Sequence, residues 1–307
     1  MMYINTIASY IPEYKVDNYI QALKFGESED FIDSKIGAKI LPHINENINT
    51  SDMAVEAINK LLAKSDISKE LIEAIVVVTQ NGDFGGLPHT SAVVHGKLGL
   101  SKNVSAFDVS LGCSGYVYGL SILKAHMNEM GFRNAILVTA DPYTKIVNSE
   151  DKNTSLLFGD AATATLLSDN GHWSIGKPTL QTNGSGFQAL TKEQYLVMNG
   201  RAVFNFAAIN VPEQIAAHLV ESDLKQNEVD LFLLHQGSKA IIDVIKRKLK
   251  ETDEKVPLDM GETGNTVSST IPLMLEKYLE NDEINTILIS GFGVGLSWAT
   301  NILRKRK

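Results

Sequence analysis

Apolar positions along the chain follow two periods that take turns. Short runs rich in β-branched residues, 72–79 (IEAIVVVT), 105–109 (SAFDV), 135–140 (AILVTA), 162–167 (ATATLL), 230–235 (DLFLLH) and 286–290 (TILIS), read as buried strands. Between them the apolar spacing widens to that of helices, predicted over 52–64, 114–130, 211–222, 237–250 and 268–280. Strands apolar on both faces that alternate with helices predict α/β layering around a buried sheet.

The pattern also repeats. Residues 59–80 (NKLLAKSDISKELIEAIVVVTQ) match 217–236 (AHLVESDLKQNEVDLFLLHQ) as helix, Ser-Asp-apolar, acidic linker and strand ending in Gln. Residues 134–139 (NAILVT) match 285–290 (NTILIS), about half a chain further on. Two such pairs predict a duplicated α/β core of about 150 residues per half. No Pro- or Ser-rich linker separates the copies. The turn-rich stretch 168–200, with Asn170-Gly171, Asn183-Gly184 and Asn199-Gly200, is the expected connection. The expected halves are 1–170 and 171–307, packed as one body.

Composition narrows the function. Hydrophobic residues make up 44% of the 307 and charged residues 21%, which is ordinary for a folded soluble protein. The 28 Lys and Arg against 36 Asp and Glu leave a net charge of −8, which argues against binding nucleic acid or anionic membranes. The start, Met1-Met2-Tyr3-Ile4-Asn5, lacks a signal-peptide pattern, and no run of about 18 apolar residues is present to span a bilayer, so a cytoplasmic address is expected. One cysteine excludes intramolecular disulfides and thiolate zinc sites, and leaves a free thiol.

That thiol, Cys113, lies in Asp108-Val-Ser-Leu-Gly-Cys113-Ser-Gly, where a strand gives way to a helix. Unpaired amides and the helix dipole at such a position favour thiolate, so a lowered pKa is expected. Flanking Gly112 and Gly115 suit a tight elbow open to substrate. Acyl transfer to a cysteine needs a base or hydrogen-bond partner and an oxyanion site. Of seven histidines only His235 ends a predicted strand, at the sheet edge where α/β active sites collect. Two further segments stand out: the Gly/Thr/Ser-rich loop 261–272 containing Asn265, and Gly291-Phe292-Gly293-Val294-Gly295, whose alternating glycines let backbone N–H groups approach a substrate oxygen. The latter lacks the spacing and terminal Lys-Ser/Thr of a phosphate loop.

In this order the segments resemble the β-ketoacyl-acyl carrier protein synthase III family of the thiolase superfamily. The carrying motifs are Asp108-Val-Ser-Leu-Gly-Cys113-Ser-Gly, Phe158-Gly-Asp-Ala-Ala162, Leu234-His235-Gln236, Gly264-Asn265-Thr266 and Gly291-Phe292-Gly293-Val294-Gly295, spread over essentially the whole chain. The resemblance implies a duplicated five-layer αβαβα fold and a catalytic set of Cys113, His235 and Asn265. It implies an acyl-enzyme on Cys113, with the oxyanion held by the N–H groups of Cys113 and Val294. A decarboxylative Claisen condensation with malonyl-carrier protein or malonyl-CoA would follow, with His235 and Asn265 holding the thioester carbonyl. No metal or other cofactor is implied, and the partners are acyl-CoA or acyl-carrier protein, malonyl-carrier protein and a second copy of the chain.

Substrate-binding positions carried over are Phe31, Lys35, Leu87, Lys152, Phe204, Ser238 and Phe292. Phe31 stands where the family usually has Trp, and Lys35 and Lys152 where Arg is common. Lysine keeps the charge and loses the planar fork, so weaker nucleotide contacts or a carrier-borne donor are expected. Leu87 matches a position that reaches across the dimer, and replaces a usual aromatic there. Lys246, Arg247 and Lys248 match the face on which the family docks its carrier protein. The alternatives are a related acyltransferase that works without decarboxylation, and a non-catalytic subunit of a heterodimeric synthase.

Overall fold

The computed structural model describes residues 2–306. Ten strands form one connected sheet: β1 Tyr3–Tyr10, β2 Ala74–Val78, β3 Ser105–Val109, β4 Asn134–Ala140, β5 Ala162–Ser168, β6 Trp173–Ile175, β7 Thr179–Thr182, β8 Leu231–Leu234, β9 Thr286–Gly293 and β10 Ser297–Lys305. The strand order is β8-β9-β10-β6-β1-β5-β4-β2-β3, with β7 also paired to β10. Six main helices accompany it: α1 Thr50–Ser65, α2 Thr90–Leu98, α3 Gly115–Met130, α4 Gly200–Glu221, α5 Lys239–Leu249 and α6 Thr270–Tyr278.

The same wiring occurs twice. β2 runs parallel to β4, which pairs antiparallel with β5. Likewise β8 runs parallel to β9, which pairs antiparallel with β10. The matched segments of sequence fall on α1–β2 and α4–β8, and on β4 and β9.

Side-chain alternation along the strands builds the layers. Ala74, Val76 and Val78 of β2 and Leu231 and Leu233 of β8 face a central core shared by α3 and α6. Ile75 and Val77 face α1 and α2 on one outer side, while Phe232 and Leu234 face α4 and α5 on the other. The two halves of the connected sheet thus lie on either side of α3 and α6 with helices outside them, five layers in all, which explains why these strands are apolar at every position.

Most element edges shift by one or two residues from expectation and β9 ends three later, while larger corrections concern α4, α2 and four strands. α4 begins at Gly200, not 211, because the Asn199 side chain caps it by accepting from Ala202 N–H at 3.0 Å, and the helix runs through Pro212. β1, β6, β7 and β10 were not anticipated; polar residues interrupt the apolar pattern of β1 (the part-buried Asn5, Thr6 and Ser9) and of β10 (the buried Ser297, Thr300 and Asn301). In β10 the Thr300 hydroxyl finds Gln214 Oε1 at 2.8 Å, and such satisfied polar groups can occupy a core strand. α2 was also absent from the expected elements. Among the described residues no helix is long and apolar enough to cross a membrane.

Candidate active site

β3 ends at Val109 and the chain turns through Leu111-Gly112-Cys113-Ser114 into α3. This elbow puts Cys113 beneath the β9–β10 connection, with 5% of its surface exposed. Backbone N–H groups of Val294 and of Cys113 itself address the sulfur. A Cβ at Gly293 would lie 2.6 Å from Sγ, so only glycine lets the loop come this close. The expectation of a lowered thiol pKa is corrected here. Burial pushes Cys113 up to about 12, the carboxyl of Asp141 adds to the rise, and the two N–H groups pull only partly back. Desolvation of the anion outweighs the helix terminus.

His235 follows β8 directly and its N–H donates to the Ser290 carbonyl at 2.9 Å. The ring stands edge-on to Phe292, centroids 5.4 Å apart. Its Nδ1 is 2.8 Å from Thr270 Oγ1, and that hydroxyl donates to the Val267 carbonyl at 3.2 Å. A hydroxyl that donates elsewhere accepts from Nδ1–H, which leaves Nε2 with its lone pair. Burial drives His235 down to about 3, so thiol and imidazole are both neutral near pH 7.

Asn265 is oriented from two sides. Its Oδ1 accepts from Val267 N–H at 2.9 Å and its Nδ2 reaches the Gly237 carbonyl only at 3.5 Å, so the amide N–H₂ is the half left for a ligand. Its backbone docks on the segment after the short helix Lys152–Ser155: Asn265 N–H donates to Leu157 at 2.9 Å and Gly159 N–H donates to Asn265 at 3.2 Å. A Cβ on Gly159 would collide with the Thr263 carbonyl. That explains the glycine of the Phe158-Gly-Asp motif. Asp160 beside it accepts from Ile44 N–H at 3.0 Å, which fixes the turn.

Cys113, His235, Asn265 and Phe292 share a cavity of about 200 Å³. Its walls include the buried Leu157 and Leu190 and the half-buried Met198 and Phe204, and the exposed Lys35 with the half-buried Phe31, Lys152 and Ser238 forms its mouth. A larger cleft of about 530 Å³ near Arg133 and Asp169 lies elsewhere and holds none of the predicted residues.

Three positions depart from the set. Leu87 does not line the cavity and is 85% exposed. The Val294 side chain faces a separate cleft with Leu111, although its N–H addresses the thiol. Lys246 is held by Asp243 at 3.4 Å and by Asp253, so of the basic run on α5 it is Arg247 and Lys248 that stand exposed. Ser238 also has a local task, capping α5 by accepting from Ile241 N–H at 3.4 Å.

Sequence reading missed Thr270, Asp141 and Glu27. Thr270 sits in the singled-out loop region, so its hydroxyl was in plain view. Asp141 follows β4, accepts from Gln80 N–H at 2.7 Å and from the Ser268 hydroxyl, and burial raises it to about 6. Glu27 pairs with Lys152 across 125 residues, for which the sequence carries no local signal.

Comparison with known proteins agrees over the whole chain. Residues 107–184 match the family described as 3-Oxoacyl-[acyl-carrier-protein (ACP)] synthase III, and residues 219–305 match its C-terminal counterpart. A beta-ketoacyl-[acyl-carrier-protein] synthase III of Streptococcus gordonii is 33% identical, with 98% of each chain covered. A crystal structure of a 3-oxoacyl-(acyl-carrier-protein) synthase III superposes with a TM-score of 0.93 at 30% identity, covering 99% of both chains. The enzyme of that name from Pseudomonas aeruginosa PAO1 gives 0.91 at 27% identity, covering 100% of this chain and 98% of the other.

Proposed function

The chain belongs to the 3-oxoacyl-[acyl-carrier-protein] synthase III family and is an acyltransferase of the condensing type; from this premise we propose how its residues divide the reaction. Cys113 attacks an acyl thioester. Its proton passes to His235 Nε2, sulfur bonds to the acyl carbon, and the departing thiolate leaves as a thiol by recovering that proton. The N–H groups of Cys113 and Val294 stabilise the charge that develops on sulfur and on the carbonyl oxygen. The neutral ground state of thiol and imidazole supports this order, because a buried pair of neutral groups needs no counter-ion until substrate arrives.

A malonyl thioester then enters. The free N–H₂ of Asn265 donates to its thioester carbonyl, and CO₂ leaves as the enolate forms. His235 assists in its other tautomer: the Thr270 hydroxyl turns to donate to Nδ1, and Nε2–H joins Asn265 at the oxygen. The enolate carbon attacks the acyl carbon, the C–S bond breaks, and the Cys113 thiolate takes up one proton from solvent, the proton that decarboxylation of the malonyl carboxylate requires, to restore the thiol. Leu190, Met198 and Phe204 receive the acyl chain. The exposed Leu87 supports a homodimer in which it closes the partner's acyl cavity, and Arg247 and Lys248 offer an acidic carrier protein its contact.

The carrying observation is that Cys113, His235 and Asn265, 152 positions apart at the extremes, line one cavity. Intact-mass analysis after exposure to acyl-CoAs and acyl-carrier proteins is expected to give one acyl adduct, absent in Cys113→Ala, and CO₂ release from malonyl-carrier protein only when the adduct has formed. Failure of every thioester to label the protein would overturn the reading.

A further inference from the structure

The mouth of the cavity carries its own counter-ion. Lys152 Nζ lies 2.7 Å from Glu27 Oε1 and 5.6 Å from the centre of the Phe31 ring. Both partners are partly shielded, with 41% and 24% of their side chains exposed. Glu27 is also held in place by its surroundings. Its N–H donates to the Ala22 carbonyl at 3.1 Å, at the end of the short helix Asn18–Leu23. From that helix Asn18 Nδ2 donates to the Leu156 carbonyl at 2.9 Å and Gln21 Nε2 to the Ser155 carbonyl at 2.6 Å. The helix that ends just before the carboxylate is therefore stapled to the segment bearing the lysine.

We propose that Glu27 is a specificity-determining residue that sets the enzyme against polyanionic thioester donors. Lys152 and Lys35 are the cations lining the mouth. A coenzyme A thioester presents several phosphates there, whereas pantetheine borne on a carrier protein presents a single phosphodiester. With Glu27 in place Lys152 is already neutralised, and an arriving phosphate must either displace the carboxylate or lie beside it. The cost rises with the charge of the donor. The uncharged part of the thioester, inside the cavity, is unaffected. This inference rests on Cys113 being the acylated residue, and names which carrier delivers the acyl group.

The test uses the full chain and three donors of one acyl group: acyl-CoA, acyl-carrier protein and the uncharged acyl-N-acetylcysteamine. In Glu27→Gln the concentration of acyl-CoA that half-saturates Cys113 acylation is expected to fall about three- to tenfold at low salt. That advantage should shrink in high salt. The N-acetylcysteamine donor should acylate both proteins alike. Glu27→Ala should behave as Glu27→Gln. An unchanged response to acyl-CoA in both variants overturns the proposal, as does an equal shift with the uncharged donor, which would mark a structural effect. Calorimetric titration with desulfo-CoA gives a readout that needs no acylation: about three- to tenfold tighter binding to Glu27→Gln is expected, and equal binding overturns the proposal. Tighter desulfo-CoA binding without any labelling of Cys113 would spare Glu27 and refute the nucleophile.

Discussion

Within one cavity, the residues of the floor and those of the mouth are held by different forces. At the floor Cys113, His235 and Asn265 are buried, and each is fixed by backbone or hydroxyl hydrogen bonds from the β3–α3, β8 and 261–272 segments. Burial there is strong enough to push a thiol up to about 12 and an imidazole down to about 3. At the mouth Lys152 and Glu27 meet in partial contact with water. Solvent and salt screen that pair, so it is worth about 1 kcal/mol. The proposed division of roles thus puts chemistry where any charge that develops is expensive and must be met by a placed donor, and recognition where charge is cheap and adjustable.

The contrast predicts a gradient of effects. The steepest is at Asn265. Asn265→Ala removes a donor from the dry floor and should slow CO₂ release from malonyl-carrier protein about 10²–10³-fold. Formation of the acyl adduct should fall by less than about tenfold, since Cys113 and His235 remain. Equal losses in both steps would erase the division of labour.

Asp141 tests whether the floor resists charge even away from the reacting groups. Its folded pKa, about 6, lies above the ordinary carboxyl value of 3.8. Its stabilising contribution is therefore complete below 3.8 and is lost as pH rises through about 6. Asp141→Asn is uncharged throughout, and other titrating groups cancel in the comparison. Urea unfolding should show the wild type gaining about 2 kcal/mol on the variant between pH 7.5 and 4.5. A difference that does not vary with pH would show that the carboxyl is not desolvated.

The smallest effect belongs to the mouth. Lys35→Ala should raise the acyl-CoA concentration for half-saturation about threefold at low salt and leave it unchanged at high salt. A loss that survives high salt would place Lys35 among the floor-like contacts.

How far the sequence carried this picture depends on the range of the forces involved. β2, β4, β8 and β9 are buried on both faces, so their continuous apolar runs announced them. β10 escaped because Thr300 is satisfied by Gln214, a partner 86 residues away. The first half of α4 was not anticipated, although Asn199 caps it and the helix runs on through Pro212. Glycine-flanked Cys113 and strand-ending His235 carry local signatures, whereas the loop bearing Asn265 reads by itself as a turn with a helix cap and was singled out by the resemblance. The direction of the thiol's pKa was not, because a helix terminus is local and desolvation is the sum of everything packed around the sulfur. The ion pair of Glu27 was invisible for the same reason: it exists only once two distant segments are stapled together.

Having a single cysteine, set inside the cavity behind Phe31, Lys35 and Lys152, gives the protein an internal gauge. Any thiol reagent that reacts with it has travelled the substrate's path, so the number of equivalents consumed counts sites with an open path. The speed of consumption clocks how readily the entrance admits a molecule of that size. A graded series of alkylating agents would measure the access to the cavity in solution without attaching a label anywhere else.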